Sequence, residues 1–318
     1  MTKETNGLPA RGLPHGAAEG GPGGGCLLAL DTSTPSLSLA WFERGELIAE
    51  KDWFGERAHS VMAVPALREL AESAGRRLGD VGAVAVGHGP GSYTGVRIGV
   101  TVAKTLAWTL QVPLVGVSSL KALALTAAVR CEGGGACANM AGAPANGDGA
   151  AAAREALAGE RAGGEAGVRR LYVPLMDARR GRAYAAIYER DPRTDAGIRL
   201  QGIQEDGVVP MESLLGRLRE LMDGGEAVRI VFTGDTGVFS SLLEDFAGTR
   251  KGASRADILP LAMKAASVGR LAIAEGTPIT SEAIHAFAPN YTQPAEAEVK
   301  LIARRMAEAA ESGEAGRG

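Results

Sequence analysis

An apolar run, Val81–Val86, leads into Gly89-Pro90-Gly91-Ser92-Tyr93-Thr94-Gly95-Val96-Arg97-Ile98-Gly99, and apolar spacing then continues to Leu110. This reads as a strand, a glycine turn and a helix from about Thr94 to Leu110, the unit from which α/β folds are built. Glycines let the backbone turn tightly and present N–H groups at a helix N-terminus, where an anion can sit. The spacing is neither a dinucleotide fingerprint nor a Walker loop, because no Gly-Lys-Ser/Thr follows. A phosphate cradle and a structural turn therefore both stand as readings of Asp31, Ser33, Gly89, Gly91, Ser92, Thr94 and Arg97, which this loop and the first strand end bring together. Asp31-Thr32-Ser33-Thr34 closes that strand, and an acid followed by hydroxyls suits either Mg²⁺–nucleotide contact or a capped turn.

The surrounding pattern extends the α/β reading. Leu27–Asp31, Leu37–Phe42 and Glu46–Trp53 predict three strands joined by short turns. Val61, Val64, Leu67, Leu70, Ala71, Ala74 and Leu78 predict a helix, with Pro65 kinking it or marking its start. Val112–Val117 predicts a strand and Ser118–Ala128 a helix. A second block has the same α/β character, with strands at Leu171–Met176, Ala183–Tyr188 and Val228–Phe232, and helices at Met211–Met222 and Leu261–Glu275. Two similar halves suggest a duplicated domain. Residues 132–167 hold 23 Gly or Ala among 36, and residues 1–25 hold 8 glycines. The expected organisation is a disordered tail at 1–25, a first domain at 26–130, a Gly/Ala-rich insert at 131–168, a smaller second domain at 169–295 and a charged tail at 296–318. A late helix is expected to be able to pack back on the first domain.

Composition excludes several roles. The net charge of −3 argues against an all-over basic nucleic-acid binder, although a local basic patch stays open. Aromatics at 4% make stacking platforms an unpromising main function. Three cysteines, Cys26, Cys131 and Cys137, are an odd number for a disulfide framework and have no zinc-site spacing. No run of about 18 apolar residues occurs, and the N-terminus lacks an apolar signal core, so a cytoplasmic, non-membrane protein is expected.

Gly95, Gly99, Ala103 and Ala107 recur every four residues and share one helix face. Such a stripe admits close approach, either of this domain's own sheet or of a helix from another subunit. His59-Ser60 opens the first helix, where a capping or interface role outweighs catalysis. Arg179 and Arg180 in Asp177-Ala178-Arg179-Arg180-Gly181-Arg182-Ala183-Tyr184 are solvated hairpin residues or an interface or anion site. Ser92 lacks an evident His/Asp team, and no HExxH, GxSxG or CxxC occurs.

Leu28–Ser33, His59-Ser60 with Pro65, Gly89–Gly99, Pro113–Leu123 and Asp177–Tyr184 together resemble the TsaB (YeaZ) family of tRNA threonylcarbamoyladenosine biosynthesis proteins. The resemblance implies two actin-like (ASKHA, ribonuclease H-like) domains with mixed sheets flanked by helices. The catalytic relative, TsaD, holds a metal with a His-x-x-x-His pair, and the matching positions here are Ser119 and Leu123. Leucine cannot bind a metal and serine is a poor ligand where imidazole is suited, so the metal site is expected to be missing. The implied role is a non-catalytic subunit of the complex that transfers a threonylcarbamoyl group to adenosine 37 of ANN-decoding tRNAs. Implied partners are a TsaD-like catalytic subunit and a TsaE-like ATPase, with tRNA reached through the complex and a homodimer competing for the same surface. His59, Leu67, Leu70, Gly95, Gly99, Ala103 and Ala107 are the expected partner-binding residues. Ser92, Thr94 and Arg97 are expected to hold the loop and helix in place. No cofactor is required on this reading, with weak nucleotide binding left open. The rival is an autonomous ASKHA-type ATPase or a metallopeptidase-like enzyme.

Overall fold

The computed structural model describes residues 25–55, 58–132, 168–193, 197–248, 253–280 and 282–292. The expected tails and almost all of the expected insert lie outside these residues.

The first sheet begins as an antiparallel meander, β1 (Cys26–Asp31), β2 (Ser36–Glu43) and β3 (Glu46–Phe54). Two parallel strands, β4 (Ala83–Gly87) and β5 (Leu114–Val117), complete it in the order β3-β2-β1-β4-β5. The second sheet repeats that plan. β6 (Arg169–Asp177), β7 (Arg182–Arg190) and β8 (Leu200–Pro210) run antiparallel. β9 (Val228–Gly234) and β10 (Arg255–Leu259) run parallel to β6. The order β8-β7-β6-β9-β10 matches the first sheet strand for strand.

Helices cover both faces of each sheet, so the central strands are apolar on every residue rather than on alternate ones. Side chains still sort by the two-residue period of a strand. Leu28 and Leu30 join Val84 and Val86 in a core under α1 (Ala58–Ser73) and α2 (Tyr93–Leu110). Leu27 and Ala29 face the opposite way, into a core shared with α3 (Ser119–Glu132) and α6 (Ala265–Glu275). The far face of the second sheet packs on α4 (Met211–Asp223) and α5 (Ser240–Gly248) through Leu171, Val173, Ile230 and Phe232.

The two halves exchange helices. α3 follows the first sheet in sequence but lies against β6, β7 and β9, while α6 follows the second sheet but lies against β1, β2 and β4. α3 and α6 touch each other, forming one middle layer. Their sequences allow it: α3 buries residues on all sides, including Leu120, Leu123, Ala124 and Ala127, as a helix enclosed between layers must. Gly269 lets α6 sit directly on Phe42, since a Cβ there would fall 2.2 Å from the ring. The first-turn amides of α6, which have no partner within the helix, are capped from the first sheet. Ala265 N donates to Ser38 Oγ at 2.8 Å, Ala266 N donates to Glu50 Oε1 at 2.8 Å, and Lys264 pairs with Asp52.

Beyond α6 the chain returns along α2 as a strap. Ile279 bridges Leu114, α7 (Glu282–Ala286) packs on α2, and Ile284 enters the first core. Lys104 Nζ donates to the carbonyls of His285 at 2.8 Å and Phe287 at 2.7 Å.

Several boundaries depart from the sequence reading. α1 starts at Ala58 and keeps Pro65 in its interior, so the proline is not its start. Val61 and Pro65 both lie at the surface, where water can satisfy the carbonyl that proline leaves without a donor. β5 begins at Leu114 rather than Val112, and α6 at Ala265 rather than Leu261. β8, β10 and α5 are additional.

Candidate functional site

The glycine turn meets the end of β1 beneath α2 and α3. Asp31 is fully buried, and its Oδ1 accepts from Ser33 N at 2.8 Å and Ser33 Oγ at 2.7 Å. Its Oδ2 accepts from Ser119 Oγ at 2.8 Å. Ser119 Oγ in turn accepts from Gly89 N at 3.1 Å, and Ser92 N donates to Ser33 O at 2.8 Å. Two N–H groups of the turn, those of Gly89 and Ser92, are thus engaged inside the chain. Gly91 has no room for a side chain, because a Cβ there would meet Ser33 O at 2.6 Å. Ser92 caps α2 by accepting from Gly95 N at 3.3 Å. Thr94 is exposed, and Arg97 lies over the Tyr93 ring at 5.3 Å. In this conformation the cluster is a structural knot that fixes the start of α2.

The small-residue stripe faces inward, which corrects its expected place on a subunit surface. Gly95, Gly99, Ala103 and Ala107 are buried within the chain. A Cβ on Gly95 would meet Thr32 O at 2.1 Å, and one on Gly99 would meet Thr32 Oγ1 at 2.2 Å. Leu67 and Leu70 are likewise core residues of α1, at 2% and 0% exposure, so neither can touch a partner. His59 lies in the first turn of α1. What this layer shows to solvent is different: Val61 and Val64 on α1 are 62% and 68% exposed, and Trp108 on α2 is 44% exposed. Sequence periodicity marks Val61 and Val64 as apolar helix positions but cannot distinguish an inward face from an outward one.

The positions matched to a metal-binding pair do not suit a metal. Ser119 Oγ is tied to Asp31 and Gly89, and Leu123 is fully buried in the middle layer. Among the described residues no group of three or more His, Cys, Asp or Glu is placed to hold a metal ion. No described helix is long and apolar enough to cross a membrane.

A polar cluster links the halves beside this knot. Asp206 on β8 accepts from Ser118 Oγ at 2.5 Å and from Tyr188 OH at 2.5 Å. Burial, then the neighbouring Asp206 charge, pushes the Tyr188 hydroxyl above the usual tyrosine range. His88 packs edge-on to Phe287, with ring centroids 5.7 Å apart, and its buried Nδ1 has no hydrogen-bond partner among the described residues. Burial lowers the His88 pKa, against an opposing pull from Asp206.

The tRNA threonylcarbamoyladenosine biosynthesis protein TsaB of Bacillus subtilis is 31% identical over 281 residues, 87% of this chain and 97% of that relative. The chain belongs to the TsaB family. The TsaB of Haemophilus influenzae is 41% identical over 101 residues, 32% of this chain and 42% of that relative. The model of the TsaD family, tRNA N6-adenosine threonylcarbamoyltransferase, matches residues 54–138, which carry α1, the glycine turn, α2 and α3. The solved structure of YeaZ from Pseudomonas aeruginosa covers 84% of this chain and 99% of its own, with 25% identity and a TM-score of 0.53. With the two matching mixed sheets, these similarities give this TsaB-family chain a two-domain actin-like fold.

Proposed function

We propose that this chain is a non-catalytic subunit of the tRNA threonylcarbamoyl transferase complex, binding and activating a TsaD-like catalytic subunit. Its family takes part in tRNA threonylcarbamoyladenosine biosynthesis. The observation that carries the non-catalytic reading is the Ser119–Leu123 pair. One side chain is engaged in holding the Asp31 knot and the other is in the core, so neither supplies a ligand where the enzyme family has histidines. The chain on this reading needs no cofactor of its own and works in the cytoplasm.

The outer face of α1 and α2 is the proposed partner surface. Val61 and Val64 stand three residues apart on one helix face and are more than half exposed. Exposed aliphatics on packed helices suit a helix-on-helix contact, the inner stripe having already been used to seat α2. The same face would serve a homodimer, in competition with the catalytic subunit. A TsaE-like ATPase joins the resulting complex, and tRNA is modified on the catalytic subunit.

Light scattering of the chain with and without the TsaD-like subunit tests this role, read together with threonylcarbamoyl transfer in the complete system. Val64→Glu puts a charge into the proposed contact while leaving the core intact. It is expected to weaken assembly by roughly 2 kcal/mol or more, about thirtyfold, and to reduce transfer in step. Its melting temperature should stay near wild type, as surface changes fall within about 0.5 kcal/mol. Normal assembly by the Val64→Glu protein would exclude this face.

A further inference from the structure

The strap crosses the carboxyl ends of β4 and β5 beside the glycine turn, and a histidine lies beneath it. Phe287 enters a slot between His88, which follows β4, and Gly116 on β5. Its ring stands edge-on to the His88 ring, with centroids 5.7 Å apart and planes at 77°. Gly116 makes the slot: a Cβ there would fall 2.5 Å from Phe287 Cζ and 3.0 Å from His88 Cδ2. The chain then turns back on the histidine itself, since Asn290 N donates to His88 O at 2.7 Å. Gly89 completes the fit, with Asn290 O 3.1 Å from where its Cβ would stand. His88 is thus covered by the strap at both its ring and its backbone.

The covered imidazole has nowhere to place a second proton. A neutral ring carries one N–H and one bare nitrogen, whereas the charged ring carries two N–H groups that both need acceptors. Nδ1 is buried and has no hydrogen-bond partner among the described residues. A charge placed there without a partner is costly. Charged and titratable groups on the elements packed around it are engaged elsewhere. Asp206 on β8 accepts from Ser118 and from Tyr188 on β7, and Asp31 at the end of β1 accepts from Ser33 and Ser119. Lys104 on α2 donates to the carbonyls of His285 and Phe287, and the His285 ring on α7 lies against Trp108. Burial lowers the His88 pKa and outweighs the Asp206 charge and the histidine's own backbone, which favour the charged ring. The closed strap therefore selects the neutral ring.

We propose that His88 is a pH-sensitive latch: when its ring takes a proton, Phe287 lifts and residues 287–292 loosen from the first sheet and α2. Lifting Phe287 admits water to Nδ1, and water supplies the missing acceptor. Linkage sets the direction. With the strap open, His88 protonates near the ordinary histidine value of about 6.5, and the closed strap holds it below that. Closure is therefore at full strength above the open-state value and weakens as pH falls through it. The near end of the strap has no such dependence. Ile279 and Leu114 exchange two backbone hydrogen bonds, at 2.7 and 2.9 Å, and Ile284 is buried in the first core. The movement is thus confined to the segment beyond α7, and it does not depend on the assembly proposed above.

The test is NMR on the full chain between about pH 7.5 and about pH 5.5. The imidazole shifts of His88 give its titration. Hydrogen exchange gives the protection factor of the Asn290 amide, corrected for the intrinsic pH dependence of exchange. Asn290 protection should fall by up to about tenfold across that range, the most that one histidine released from a closed site can supply. The Leu114 amide, bonded to Ile279 at the near end, should keep its protection. His88→Gln, which carries no titrating group, should hold Asn290 protection level, and His285→Gln should leave the fall intact. Phe287→Ala should move the His88 titration back up toward the ordinary value, a readout that survives if His88→Gln does not fold. Level Asn290 protection in the wild-type chain, or an equal fall in His88→Gln, would overturn the latch. So would a parallel loss at Leu114, which signals general loosening, or a His88 titration that Phe287→Ala leaves in place.

Discussion

Gly99 shows how one missing side chain can be assigned to the wrong surface. As part of a four-residue stripe it suits a helix–helix contact with another subunit equally well as a contact within the chain. The neighbouring atoms decide between them: Thr32 Oγ1 occupies the space a Cβ would need, at 2.2 Å, while donating to Gly95 O at 2.7 Å. Substitution there acts on folding first. Gly99→Ala must displace Thr32 and break its bond to α2, so a loss of about 1–3 kcal/mol is expected from overpacking. Chemical denaturation would measure it. A variant as stable as wild type, with weakened assembly alone, would return the stripe to the surface. The same reasoning covers Asp31, which reads in sequence as a candidate magnesium ligand and in the structure receives three donors from Ser33 and Ser119.

Among elements, the strap from Ile279 to Thr292 has the largest effect for the least sequence signal. It runs against α2 from one end to the other. The His285 ring lies against Trp108 with centroids 4.2 Å apart and planes tilted by 57°, Lys104 holds two strap carbonyls, and Tyr291 meets Tyr93. Lys104→Met removes both charged hydrogen bonds but keeps the aliphatic stem. A loss of about 1–3 kcal/mol is expected, with faster amide exchange at Phe287 and Asn290. Unchanged exchange at those amides would show that Ile284 and the ring contacts hold the strap without Lys104. No local pattern announces such a tie, because its partners lie 181 and 183 residues apart. Elements with strong periodicity are legible: β1, β2, α2 and α4 stand close to where alternation or helical spacing puts them. β8 is not, since its exposed and half-exposed polar residues form an edge strand without an apolar face. β10 and α5 are too short for a period to emerge. The knot's residues can be named from sequence, but its closed state cannot, as this depends on Ser119 and Asp31 meeting across 88 positions.

At the scale of the molecule, the exchange of α3 and α6 determines whether the two sheets can behave as separate bodies. Each sheet takes one face of its cover from a helix on the other side of the chain, and one core runs through both. Phe42 sits at the joint: it belongs to β2, packs in the shared core and lies against Gly269 of α6. If the middle layer couples the halves, Phe42→Ala weakens both together. The expected loss is about 3–5 kcal/mol, corresponding to a fall in melting temperature on the order of 10 °C for a protein of this size. That shift should appear in one transition, the same by calorimetry and by tryptophan fluorescence, although Trp41, Trp53 and Trp108 report only from the first half. Splitting into two calorimetric peaks, with only the fluorescence-detected one displaced, would mean that the sheets melt independently.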